Sequence, residues 1–183
     1  MSEVSAWVAR WAPLIPPGAA LDLACGSGRH ARLLASLGHA VTALDRDAQA
    51  LAAAGGPGIA TLRYDLEAPD AAWPIAPGSQ SGIVVTNYLH RPLFADIAAA
   101  LAPDGVLIYE TFARGNEVFG KPSNPAFLLN PGELLELAAL GGLRVVAYED
   151  GVIDSPKPAR VQRLCAVGQG FDLGAVRLDG LDM

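Results

Sequence analysis

The sequence predicts a single α/β domain, doubly wound around a mostly parallel sheet. Three observations predict it. Short apolar runs alternate with Ala/Leu-rich segments of helical composition, the pattern of strands joined by crossover helices. The chain has 183 residues, 51% of them hydrophobic and only 17% charged, enough for one core and too few for two. An apolar strand also runs directly into a glycine turn that opens a helix, Leu21-Asp22-Leu23-Ala24-Cys25-Gly26-Ser27-Gly28-Arg29-His30.

The elements follow in order. Residues 1–17 hold a short helix in which Trp7 and Trp11, four apart, share one side. They either cover the edge of a ligand site or staple the helix to the domain. Ala20–Ala24, Ala40–Leu44, Ile59–Leu62, Gly82–Thr86 and Val106–Tyr109 read as strands buried on both faces. Arg29–Leu37, Asp47–Ala54 and Leu93–Leu101 read as the helices between them. Pro131–Leu140 reads as a helix with Pro131 in its first turn. Leu143–Tyr148 and Val161–Val167 follow as two strands, and the DGVIDSPKPAR connection is short enough for an antiparallel return. The expected division is a core over 18–168 and a C-terminal tail over 169–183 without a clear pattern. Two irregular stretches, Tyr64–Ser81 and Phe112–Asn130, are longer than compact domains usually keep. The second follows a strand end and carries Arg114, Asn116, Glu117, Phe119, Lys121, Asn124 and Phe127. It is either a substrate-contacting loop or an Ω-loop packed by its own side chains.

Charge and cysteine content exclude several function classes. The net charge is −6, and Lys121 and Lys157 are the only lysines, which argues against a nucleic-acid partner and against membrane-surface attraction. No continuous apolar stretch is long enough for a bilayer, and Glu3 and Arg10 interrupt any signal core. A cytoplasmic protein is the expectation. Cys25 and Cys165 are far apart and show no metal-binding or disulfide spacing, so no metal is expected.

The glycine turn leaves the backbone open to a ligand, and the free N–H groups of the helix that follows attract an anion. A pattern of the form GxGxxA at Gly26–Ala31 is weak evidence alone. The acids beside it sharpen the reading. Asp22 lies near the end of the first strand, where a buried carboxylate needs a partner, either a cationic ligand group or turn N–H groups. Asp45 ends the second strand, at the distance beyond the glycines where a carboxylate receives ribose hydroxyls. Asp65 stands at the end of the third.

The order of LDLACGSGRHA, VTALDRD and RYDLE resembles the class I S-adenosylmethionine-dependent methyltransferase family, from about Gly18 to Val167. The resemblance implies a Rossmann-like seven-stranded sheet with an antiparallel last strand, and S-adenosyl-L-methionine as cofactor. Asp22, Gly26 and Gly28 would hold its methionine part and Asp45 the ribose, with Ala24, Arg29 and Asn87 also among the cofactor-binding residues. Arg46 would border the adenine, and Asp65 with Leu66 would meet its edge. Ala24 departs from the family, which usually has glycine there. Asn87, Tyr88 and His90 are similar to the family's loop beside the transferred methyl. The stretch from GVLIYETF onward resembles small bacterial methyltransferases, some compared with tellurite-resistance enzymes.

Methyl transfer from a sulfonium requires alignment more than any one catalytic group, and a base only where the acceptor must lose a proton. His90 is the candidate base, with Asn87 and Tyr88 walling the methyl site. His30 and His39 read as structural. The fourth strand ends in Asn87-Tyr88-Leu89 and lacks the family's Pro-Pro-aromatic cluster for planar amines, which points to a small-molecule acceptor: a thiol, an oxyanion, or an O or N nucleophile. A homodimer is one way to close such a site, the Phe112–Asn130 loop another. Two rivals remain. A noncatalytic S-adenosylmethionine-binding module would bind without turnover. An NAD(P)-dependent reductase would share the glycine turn, but no tyrosine has a lysine four residues on, and Asp22 and Asp65 would be unexplained.

Overall fold

A computed structural model describes residues 3–177 of the chain. The apolar runs form seven strands: β1 (Ala19–Leu23), β2 (Ala40–Asp45), β3 (Ile59–Arg63), β4 (Gln80–Thr86), β5 (Leu101–Phe112), β6 (Arg144–Ile153) and β7 (Ala159–Val167). They assemble into one sheet in the order β3-β2-β1-β4-β5-β7-β6, and β7 runs antiparallel to both its neighbours. This is the doubly wound sheet expected, with its antiparallel last strand. The order reverses direction beside β1, and the pairs Leu23↔Leu44, Leu23↔Val85, Asp45↔Arg63 and Thr86↔Glu110 bring the carboxyl ends of β1 to β5 to one edge. Open α/β sheets take their ligands at such a switch point.

Side-chain alternation sorts the core onto two faces. Ala20, Val84, Ile108 and Cys165 face one side, where Trp7, Trp11, Leu34 and Leu51 cover them; these come from helices α1 (Ala6–Trp11), α2 (Arg29–Ser36) and α3 (Ala48–Ala54). Leu21, Val85, Leu107 and Leu164 face the other, under Ile97, Leu134 and Leu137 of α4 (Phe94–Ala100) and α5 (Glu133–Leu140). Continuous apolar runs are what burial on both faces demands.

Local chemistry sets the boundaries. Ser5 caps α1, its Oγ accepting the Trp7 N–H at 3.2 Å. Trp7 and Trp11 pack edge to face with centroids 5.7 Å apart, and the Trp7 indole donates to the Leu164 carbonyl at 3.2 Å, so the pair belongs to the core. α5 starts later than expected. Gly132, at φ +76°, is its N-cap, and Pro131 lies outside. The Glu133 carboxylate accepts the Asn130 N–H at 2.8 Å, and this closes the turn before the helix. β5 starts at Leu101, five positions ahead of the expected Val106, because Leu101 pairs with Gln80 across a register shift whose extra residues, 102–105, lie in β5. β6 continues to Ile153, so the β6–β7 connection shrinks to residues 154–158. Tyr64–Ser81 holds no helix before β4 begins at Gln80. Of the expected tail, 169–177 is described, with a 3₁₀ turn at Leu173–Ala175; 178–183 lies outside the described residues.

Candidate functional site

The turn from β1 to α2 combines strain and openness. Ala24, Gly26 and Gly28 all have left-handed backbone, at φ +54°, +53° and +76°. Alanine in that region is strained, glycine is not. The two glycines serve different ends. A Cβ on Gly28 would lie 2.8 Å from the Cα of Ala54, so this glycine lets α3 approach. A Cβ on Gly26 would meet nothing within 4 Å, so this one faces open space.

Two carboxylates brace the turn. Asp45 at the end of β2 accepts the Gly26 N–H through Oδ2 at 2.8 Å and the Asp47 N–H through Oδ1 at 2.9 Å. Each oxygen keeps a lone pair for a further donor. Asp22 is 1% exposed; its Oδ2 accepts the Ala31 N–H at 2.8 Å, and its Oδ1 has no partner among the described residues. Burial raises its pKa from 3.8 to about 7, against the opposing pull of the Ala31 N–H and the Arg29 charge. An orphaned oxygen on a buried acid fits a cationic donor.

Beside the turn lies a cleft of about 250 Å³, lined by Ala24, Asp45, Arg46, Asp65, Leu66, Asn87 and Tyr88, and also by Glu67. The structure thus gathers these predicted residues in one place. Asp22, Gly26 and Gly28 are not on its wall; they hold the turn next to it. Asp65 uses Oδ1 to accept the Glu67 N–H at 3.0 Å.

Arg29 faces a second hollow of about 220 Å³, together with Asn87, Glu110, Phe112, Lys157 and Arg163. Glu110 stands near the end of β5, 7% exposed, paired with Arg163 at 2.5 Å. Arg163 also reaches Glu149 at 3.1 Å and lies 5.8 Å from the Trp7 ring centre. Sequence reading missed Glu110, Lys157 and Arg163. For Glu110 the signal was present, since it is a fourth acid near a strand end, like Asp22, Asp45 and Asp65. Lys157 and Arg163 reach the hollow only because β7 returns beside β5.

Asn87 joins the two hollows. It lies in the left-handed region at φ +55°, and its N–H donates to the Glu110 carbonyl at 2.9 Å. It also borders a third space of about 150 Å³ with Tyr88, Phe112, Pro122 and Phe127. Only Pro122 and Phe127 bring the 112–130 loop to the site from its far part. Asn116 is spent inside that loop, donating to the Pro122 carbonyl at 2.9 Å and accepting the Arg160 N–H at 3.0 Å, while Arg114 donates to Asn130 at 2.7 Å. Arg91 pins the loop from below: it pairs with Glu133 and donates to the Ala126 and Leu128 carbonyls at 2.9 Å each. Burial alone would raise the Glu133 pKa; hydrogen bonds from Arg91 and Asn130 outweigh it and hold the carboxyl below its usual range.

The histidines stand apart from these spaces. His90 is the N-cap of a 3₁₀ turn at Arg91–Leu93 and lines none of the three hollows. Tyr88 is held beside it by the Tyr109 hydroxyl, which donates to the Tyr88 carbonyl at 2.8 Å, and burial pushes the Tyr88 phenol above its usual range. His30 is buried. Its Nε2 accepts the Ser5 N–H at 3.1 Å, which places the proton on Nδ1, 3.3 Å from the Thr86 hydroxyl. Burial lowers its pKa to about 3, so it is neutral and structural. Among the described residues no three His, Cys, Asp or Glu side chains group as metal ligands, and no helix is long and apolar enough to cross a membrane.

Comparison with known proteins agrees with this geometry. Residues 20–105 match the family described as "Methyltransferase domain". No curated protein sequence matches the chain. Among solved structures, TehB from Haemophilus influenzae superposes with a TM-score of 0.75 at 19% identity, over 92% of this chain and 63% of that one. The chain therefore spans less than two thirds of that protein's length. A TehB-like SAM-dependent methyltransferase from Corynebacterium glutamicum gives 0.65 at 20% identity, over 91% of this chain and 89% of that one. An S-adenosylmethionine-dependent methyltransferase from Mesorhizobium loti gives 0.68 at 17%, over 90% and 98%. At these identities the likeness is one of fold.

Proposed function

We propose that this chain is a class I S-adenosylmethionine-dependent methyltransferase and that it methylates a small molecule seated in the hollow of Arg29, Glu110 and Lys157; the domain match over residues 20–105 and the fold support the reading. One observation carries the proposal. The acid-rich cleft at the ends of β2 and β3 and the mixed hollow at the ends of β5 and β7 meet at Asn87. A donor in the first therefore faces an acceptor in the second.

The residues present fit the cofactor. Asp22 offers an unpartnered buried oxygen to an ammonium group, and Asp45 has free lone pairs for two adjacent hydroxyls. Gly26 presents backbone without a side chain in the way. Arg46, Asp65 and Leu66 border the part of the cleft an adenine would fill. When bound, S-adenosylmethionine supplies a methyl group on a positively charged sulfur.

The chain's own part is to orient the acceptor, take its proton and keep water out. Asn87, fixed through its N–H to the Glu110 carbonyl, lines both hollows. Glu110 is the group positioned to receive a proton from an acceptor O–H, N–H or S–H. It lines the acceptor hollow, and the pair with Arg163 fixes its position there. His90 has no place in this proposal, because it lines neither hollow. Phe112, Ile153 and Val161 supply apolar surface that limits water around the acceptor.

The test is methyl transfer from labelled cofactor across a panel of thiols, phenols, amines and oxyanions, run beside calorimetric titration with S-adenosylhomocysteine. Saturable binding with transfer to a panel member is expected. Binding without transfer to any member would favour a noncatalytic binding module.

A further inference from the structure

We infer that the second hollow selects acceptors carrying an acidic group on an apolar body, and that Lys157, with Arg29, receives the acid. The inference rests on the reading that this hollow seats the acceptor.

The balance of charge around the hollow leads to it. Its charged lining is Glu3, Arg29, Glu110, Lys157 and Arg163. Glu110 and Arg163 satisfy each other, and Arg163 is held further by Glu149. Arg29 and Lys157 make no side-chain hydrogen bond or ion pair among the described residues. Two unpaired cations against one exposed acid, Glu3, leave the hollow positive in a chain whose net charge is −6. Lys157 is one of only two lysines. The neighbouring cleft has the opposite sign, with Asp45, Asp65 and Glu67 against Arg46 alone.

The rest of the wall is apolar, with Phe112, Ile153, Pro156 and Val161. A wholly apolar acceptor would cover Arg29 and Lys157 without pairing them, which costs free energy. A bare inorganic oxyanion would pair them but leave the apolar wall without a partner. An organic acid satisfies both. Lys157 sits in the short connection between β6 and β7, at the rim, while Asn87 and Glu110 lie at the ends of β4 and β5. The acid would therefore rest at the rim and the methyl-accepting atom toward Asn87.

The experiment titrates protein saturated with S-adenosylhomocysteine against two probes of one shape, 4-phenylbutanoate and 4-phenylbutanamide. The acid should bind at least about fivefold more tightly than the amide. Lys157→Met should remove most of the acid's preference, with Arg29 keeping the remainder, and Lys157→Arg should restore most of it. Affinity for S-adenosylhomocysteine should be the same in both variants, which also reports that they fold. Equal affinity for the two probes, no saturable binding of the acid, or a preference untouched by Lys157→Met would each overturn the inference. Failure of the wild-type protein to bind S-adenosylhomocysteine is read in the first titration; it overturns the cofactor reading, and this one with it.

Discussion

The cleft over β2 and β3 and the hollow over β5 and β7 share the Asn87 wall but differ in charge and in construction. The first is acidic and is assembled from consecutive βα units, its turn braced by backbone N–H groups donated to Asp22 and Asp45. The second is positive and is assembled across the chain, its carboxylate held by an arginine from the antiparallel strand. The difference teaches how one sheet edge can seat two unlike partners. A rigid, locally built site suits a constant ligand. A site built from a strand end, a hairpin and an N-terminal segment leaves room for a particular acceptor.

The largest expected effect separates what Asp22 does for folding from what it does for binding. With its folded pKa raised to about 7 against 3.8, the ionised group weakens the folded protein fully above pH 7, and the penalty fades as pH falls toward 3.8. Asp22→Asn should therefore raise the ligand-free unfolding free energy by up to ~4 kcal/mol at pH 8 and hardly at all near pH 4, measured by urea denaturation. The same variant should bind S-adenosylhomocysteine more weakly. A variant no more stable at pH 8 would mean that the buried acid has a partner already.

Glu110→Gln belongs to the other side of the comparison. If this carboxylate takes the acceptor's proton, turnover should fall by about 100-fold or more while cofactor affinity holds, measured by steady-state kinetics and calorimetry. A variant with unaltered turnover over a pH series would remove Glu110 from the reaction. Asp45→Ala should do the reverse, costing about 1–3 kcal/mol of cofactor affinity through the lost hydroxyl bonds. Unchanged affinity would break the assignment of ribose to the acidic cleft.

The acidic side was legible in sequence because each strand end that contributes to it carries its own local signal. Strand, acid and turn lie within a few residues of one another in LDLACGSGRHA, and VTALDRD repeats the plan without the glycines. The positive side was not. Arg29, Glu110, Lys157 and Arg163 come from four separate elements, and no spacing along the chain records their meeting. Glu110 could have been noticed as another acid near a strand end, but nothing local shows its pairing with Arg163. The strand limits that failed have the same origin. β5 begins at Leu101 because of Gln80, and α5 begins after Gly132 where Glu133 is drawn to Arg91 and Asn130. His90 follows a strand end and so read as a base, yet its position capping a 3₁₀ turn leaves it outside both hollows.

The smallest effect concerns the turn that both regions border. Ala24 holds a left-handed conformation that glycine adopts without strain. Ala24→Gly should stabilise the fold by about 1 kcal/mol in urea denaturation, with cofactor affinity equal or better. Lower stability would mean that the Ala24 side chain contributes packing that outweighs the strain.

The most direct measurement is a crystal structure of the protein with S-adenosylhomocysteine bound. The ribose hydroxyls should lie on Asp45, the adenine beside Asp65 and Leu66, and the sulfur at Asn87, pointing toward Glu110. A nucleoside seated anywhere else, or a sulfur turned away from the Arg29–Lys157 hollow, would contradict the account.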